Sequence, residues 1–309
     1  MNAPPRIFAD MAFNTFTCAL LLALLGASSV VRADPGAPVQ DFARVCASEQ
    51  PDLAAWRISG ALARESWPTR LRCADEAGTA RALRIEVRPG DAYDPNPGEE
   101  PTERVEIQVR REFVKFDQTV WYSFRFRLAA PWPTQENRTV IHQVKQNVEA
   151  KDEIVNGGRC PSANPFFKIE TGHRKESAGP AFVVKTRGTD NCNDGKSGQA
   201  VCGPWPLQLQ TWHRVHVVLK PSLREGGSNL RVWLDGKPCA PQTGRLGYAD
   251  VGRRDKDGKP FVDAQPRFGI YRDALRDVTQ TITYTDIAFW DRAPAGHPDW
   301  AGIGLTAAP

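Results

Sequence analysis

The chain has 309 residues, of which 41% are apolar and 25% charged, and a formal net charge of +4 at pH 7. This is ordinary globular composition and excludes a disordered or low-complexity chain. The slight cationic excess suits a polyanionic partner without demanding one, and no nucleic-acid partner is expected.

The first element is an apolar stretch, ALLLALL at 19–25, followed by Val31-Arg32-Ala33. The pattern predicts a signal peptide over 1–33, cleaved after Ala33. The apolar core is short for a membrane span and is interrupted by Ser28, Ser29 and Arg32, so no membrane association is expected after cleavage. Cys18 precedes the apolar core, the wrong side for lipid attachment. A mature domain of 34–309 follows, long enough for one large β domain and expected to be a monomer. Export leaves the periplasm and the extracellular space equally open.

The six remaining cysteines are Cys46, Cys73, Cys160, Cys192, Cys202 and Cys239. An even number in an exported chain suggests three disulfides. Cys46 with Cys73 would tie down the N-terminal segment, and Cys192 with Cys202 would close a Gly-, Asn- and Asp-rich loop. No Cys-x-x-Cys pair is present, which argues against zinc.

Residues 34–75 are mixed in character, and alternation with period two recurs beyond them. Leu83, Ile85 and Val87 alternate with Arg84, Glu86 and Arg88, and Val105, Ile107 and Val109 with Arg104, Glu106, Gln108 and Arg110. Tyr122, Phe124, Phe126 and Leu128 alternate with Ser123, Arg125 and Arg127. These are strands with one face in a core and the other in water. Further strands are predicted at 139–145, 166–171, 181–186, 212–220, 230–234, 265–271 and 279–290. Turn-rich stretches separate them at 89–101, 156–164, 188–203, 224–228 and 250–260, and Asp235-Gly236 is a hairpin turn. The sum is an all-β sandwich of two antiparallel sheets.

Three strands place unusual polar groups on a face. If the valines and Ile107 face the core, then Arg104, Glu106, Gln108 and Arg110 share the other side. Taken alone, that is a solvated strand face. Gln143 and Lys145 share a face with Ile141, while His142 falls with Val144. Arg267, Gly269 and Tyr271 share a third face, with Phe268 and Ile270 inward and Gly269 leaving room for a close approach.

The segments ERVEIQVR, WYSFRFRL, VIHQVKQ, TWHRVHVVLK, LRVWLDGK and FGIYRD occur in that order. Together they resemble the polysaccharide-lyase group that includes heparin lyase and glucuronan lyase, over about residues 84–292. The resemblance implies a concanavalin-type jelly roll and β-elimination on an anionic, uronate-containing polysaccharide. That chemistry needs a neutralised carboxylate, a base for the C5 proton and an acid for the leaving glycosidic oxygen. By position, Tyr271 would be the acid and base, Arg267 its basic partner, and Gln143 a donor to the substrate carboxylate. Arg104, Glu106, Gln108, Arg110, Arg272 and His142 would contact substrate, with Glu106 orienting Arg104.

One departure matters. Many relatives read Gln-x-His where this chain reads Gln143-Val144-Lys145. Lys145 replaces the histidine, or Tyr271 acts alone, or a bulge turns His142 to the substrate face, or catalysis is lost. As a base Lys145 needs a strongly lowered pKa; as a cation neutralising a carboxylate it needs none, and that role is preferred. The rival reading is a binding module that holds acidic glycans without cleaving them, with a cell-envelope structural protein as a third.

No cofactor is called for. Asp255-Lys256-Asp257-Gly258 opens like a calcium loop but lacks the remaining ligands and reads as a polar turn, which leaves calcium as the one metal in play. His213 and His216 are expected to be structural, and Trp132 and Trp205, beside prolines, are candidates for stacking on sugar rings.

Overall fold

Alternation along the chain becomes two packed layers. The structure is a computed structural model and describes residues 38–41, 45–54, 56–59, 66–76, 81–93, 101–109, 113–133, 138–146, 154–155, 158–159, 164–171, 179–189, 198–248, 263–274 and 277–305. The principal strands are β1 (Trp56–Ser59), β2 (Leu71–Ala74), β3 (Ala82–Val87), β4 (Thr102–Val109), β5 (Val120–Leu128), β6 (Thr139–Gln146) and β7 (Phe167–Glu170). They continue with β8 (Ala181–Thr186), β9 (Gln199–Pro206), β10 (Trp212–Lys220), β11 (Ser228–Leu234), β12 (Asp263–Asp273) and β13 (Gln280–Trp290).

Among the described residues, two nine-stranded antiparallel sheets form, counting short edge pieces. The front sheet runs β9-β8-β7-β6-β12-β4-β1, and the back sheet runs β11-β10-β5-β13-β3-β2. This is the expected jelly-roll sandwich. β12 docks between β4 and β6, both distant from it in sequence, and so joins all three predicted polar segments.

The inward residues are those that alternation selected. Leu83, Ile85, Val87, Val105, Ile107, Phe124, Phe126, Phe268 and Ile270 are buried in one core cluster. A second cluster lies on the outer side of the back sheet, where Trp300 and Ile303 of the C-terminal segment cover Val218, Trp233 and Trp290.

Two features depart from the sequence reading. Residues 199–203 were expected in a loop because of their turn-rich surroundings, but they begin β9. β9 ends the front sheet, and on an edge strand prolines such as Pro204 and Pro206 forfeit fewer ladder hydrogen bonds. Cys202 pairs with Cys239 and not with Cys192. Cys202 sits on that edge strand and Cys239 follows the β11 hairpin, so the bond links the front sheet to the end of a back-sheet hairpin. The expected Cys46–Cys73 bond is present.

Cys160, Cys192, the 1–33 segment and Asp255–Gly258 lie outside the described residues. Among the described residues, no helix is long and apolar enough to cross a membrane.

Candidate active site

Register brings the polar groups together. On β12, Arg267 lies opposite Gln108 of β4 on one side and Gln143 of β6 on the other. Tyr271 lies opposite Arg104, and Gly269 opposite Glu106. Arg104, Glu106, Gln108, Gln143, Lys145, Arg267 and Tyr271 therefore belong to one face of the front sheet. Arg110 lies outside the described residues.

Contacts bind the set into a chain. Gln143 Nε2 donates to Glu106 Oε1 at 2.5 Å, and Glu106 Oε2 is 3.5 Å from Arg104 Nε. The Arg104 guanidinium stacks over the Tyr271 ring, 4.2 Å from its centroid. Gln143 is 1% exposed and Glu106 fully buried, so both lie beneath the surface that a ligand would touch. That corrects Gln143: its amide serves Glu106 and not an incoming carboxylate. Full burial likewise removes the substrate contact expected of Glu106, whose Oε2 faces Arg104.

Arg138, the residue before β6, went unnoticed in the sequence. Its guanidinium donates to the Tyr271 hydroxyl at 3.3 Å and lies 4.8 Å from the ring centroid. Asp273 fixes it, accepting from the Arg138 backbone N–H at 2.7 Å and from the guanidinium at 2.8 Å. A signal did exist, because Asp273 lies two residues after Tyr271 and so shares its face.

Lys145 is half-buried on the same face. Burial, then the positive charges of Arg267 and Arg104, push its pKa from 10.5 to about 7, against an opposing pull from Glu106. An amine so placed is substantially neutral near pH 7 and can accept a proton.

Two expected ligands point the other way. His142 is fully buried among Phe124, Phe167 and Phe268. Its Nδ1 lies 2.8 Å from the Arg267 carbonyl, so Nδ1 donates there and Nε2 accepts from the Tyr122 hydroxyl at 2.9 Å. Burial lowers its pKa to about 3, and it stays neutral. The bulge considered for it does occur, but does not turn it outward. Arg272 is also fully buried, paired with Glu103 at 2.6 Å and hydrogen-bonded to Gln280 and to the Val278 carbonyl. Both residues are structural, because strict alternation sends the neighbours of Gln143 and Tyr271 inward.

The bulge has a clear cause. The β12 register against β6 shifts between Phe268 and Tyr271, and the β7 register shifts at Ile169 and Glu170, both beside Ile141. Tyr284, reaching across from β13 of the back sheet, donates to the Ile141 carbonyl at 2.5 Å and accepts from the Gly269 N–H at 3.2 Å. Gly269 has φ +150°, and a Cβ there would sit 2.2 Å from the Val105 carbonyl oxygen. The space at Gly269 is thus taken by β4 and is not left for a ligand.

The aromatic candidates divide. Trp132 is buried with its Nε1 on Thr171 Oγ1 at 3.1 Å, which removes it as a sugar platform. Trp205 is half-buried, stacked on Phe182 and capped by Lys237. A cavity of about 340 Å³ is lined by Phe113, Trp121 and Trp290 and by none of the candidate site residues. An extended polymer needs an open face more than a closed pocket.

The family model described as polysaccharide lyase matches residues 64–291. The chain belongs to the polysaccharide lyase family. This lyase resembles, among solved structures, the endo-β-1,4-glucuronan lyase of the fungus Trichoderma reesei, with a TM-score of 0.50 and 14% identity over 77% of this chain and 95% of that one. An alginate lyase from Pseudomonas aeruginosa gives a TM-score of 0.46 and 16% identity over 78% of this chain and all of that one, 100%. At 14% identity the likeness to the glucuronan lyase speaks for the jelly-roll fold alone. No curated protein sequence matches the lyase significantly.

Proposed function

We propose that this lyase is exported as a monomer and cleaves an anionic, uronate-containing polysaccharide by β-elimination, with Lys145 as base and Tyr271 as acid. The observation that carries the reading is the Tyr271 phenol held between Arg104 and Arg138 on the face that also bears Lys145, an amine with its pKa lowered to about 7.

Arg104 and Arg267 neutralise the substrate carboxylate, which makes the C5 proton acidic. The neutral Lys145 amine takes that proton. The electron pair left at C5 moves into the C4–C5 bond as the bond from C4 to the glycosidic oxygen breaks. Tyr271 delivers its phenolic proton to the departing oxygen. Arg138 donates to the phenol oxygen, so the phenol's own hydrogen points elsewhere and can be given away. Glu106 and Gln143 act as positioning residues, holding Arg104 over the tyrosine ring.

Export is supported by the apolar stretch at 19–25 and by two disulfides. The deciding experiment incubates purified protein with glucuronan, alginate, heparin and similar acidic polymers and follows the ultraviolet absorbance of the unsaturated uronate product. A rise on one polymer that vanishes in Tyr271→Phe supports the mechanism. A flat trace on all of them, accompanied by binding to one, returns the non-catalytic reading.

A further inference from the structure

Two lysines that the elimination does not use stand on the same face. Lys168 of β7 lies opposite Gln143 of β6, which in turn lies opposite Arg267 of β12. Lys185 of β8 lies directly opposite Lys168. Like charges facing each other across a sheet repel, so this pairing requires compensation. Glu170 supplies it, with Oε1 2.5 Å from Lys168 Nζ and Oε2 2.6 Å from Lys185 Nζ.

Burial alone would raise the Glu170 pKa. The Lys168 charge and hydrogen bonds from both lysines outweigh that and hold the carboxyl below its ordinary value, hence ionised. One carboxylate between two ammonium groups leaves a positive charge over. Each ammonium also keeps N–H donors beyond the one that Glu170 accepts.

Stability is a weak reason for such a cluster, because desolvating charges offsets what their pairing contributes. Exposure is graded instead: the Glu170 side chain is 6% exposed, Lys168 11% and Lys185 30%. The carboxylate lies beneath and the ammonium groups reach the surface. Arg138 adds its charge nearby, one of the influences on Lys168.

We infer that Lys168 and Lys185, held by Glu170, form a second carboxylate-binding subsite that takes the acidic group of a sugar beside the one cleaved. The inference rests on the front face being the substrate face. Adjacent strands lie about 4.8 Å apart, which puts Lys168 about 10 Å from Arg267 across β6. A chain lying across the strands meets both places at once, so the lyase reads acidic groups on neighbouring sugars.

The test is calorimetric titration of the full chain with short oligomers of glucuronic acid and of mannuronic acid, and with a neutral glucose oligomer of the same length. Lys168→Met and Lys185→Met each weaken binding of the preferred acidic oligomer about tenfold, and added salt weakens the variants less than the wild type. Binding of the neutral oligomer does not change. In the ultraviolet assay KM rises while kcat stays put. Lys185→Gln, at the more exposed lysine, serves if Lys168→Met does not fold. Unchanged affinity in a folded variant, equal loss for acidic and neutral oligomers, or no charge-dependent binding by the wild type overturns the subsite. A flat ultraviolet trace with charge-dependent binding intact defeats the elimination mechanism alone and leaves the subsite standing.

Discussion

Lys145 can serve as a base or as a fixed cation, and pH separates the two by sign. An ordinary lysine at pH 7 is neutral in about one molecule in three thousand; at a pKa of about 7 it is neutral in about half. The surroundings therefore raise the population of competent base by about three orders of magnitude. As base, the neutral amine is the active form, so kcat/KM climbs about tenfold per pH unit from below and levels off above about pH 8. As cation, the protonated form is active and kcat/KM falls through the same region. Lys145→Arg sharpens the contrast. It keeps the charge and removes the base, so activity drops by about 10²–10⁴ if Lys145 takes the proton, and survives if Lys145 only neutralises charge. Arg267 lowers the Lys145 pKa, so Arg267→Gln moves the rising limb to higher pH. The assay is initial-rate ultraviolet product formation over a pH series on the polymer that the lyase cleaves. A falling limb near pH 7, or an active Lys145→Arg, refutes the base.

The same shift carries a substrate-free check. A lysine whose pKa is lower folded than unfolded takes up its proton mainly in the unfolded chain, so its contribution to stability grows as pH rises from about 7 towards 10.5. Relative to wild type, Lys145→Met should be more stabilising at pH 6 than at pH 10, measured by thermal unfolding.

Other expectations follow from contacts already described. Tyr284→Phe leaves the Ile141 carbonyl without its hydroxyl donor and should cost about 1–3 kcal/mol in urea unfolding, with a fall in kcat and little change in KM as the bulge beneath Tyr271 loosens. Arg272→Met strands the buried Glu103 carboxylate and should cost about 3–5 kcal/mol, while folded protein binds acidic oligomers as wild type does; weaker binding would restore Arg272 as a ligand. His142→Gln should leave the acid limb of the pH–rate profile in place, because that imidazole is neutral and sealed in the core; loss of the limb would implicate it after all.

What sequence reasoning could reach was set by period two. Alternation tells inside from outside, so it placed Arg104, Glu106, Arg267 and Tyr271 on an outer face and Phe268 and Ile270 within, which is where they lie. It says nothing of depth on that face. Gln143 and Glu106 share the outer side yet are covered, Gln143 donating to Glu106 and Glu106 facing Arg104. It also says little about which strands adjoin. Arg138 reaches Tyr271 only because β6 docks beside β12. Lys168 and Lys185 oppose each other only because β7 and β8 pair in that register. The reading of His142 and Arg272 as ligands set family position above alternation, and alternation had already sent both inward. The depressed Lys145 pKa depends first on burial and then on charges from β4 and β12 converging on β6, a property of three strands that none of them contains. The missing groove histidine therefore loses its force as an argument against catalysis. A proton acceptor needs a pKa near working pH, and cations gathered around a half-buried lysine can supply that as well as an imidazole ring does.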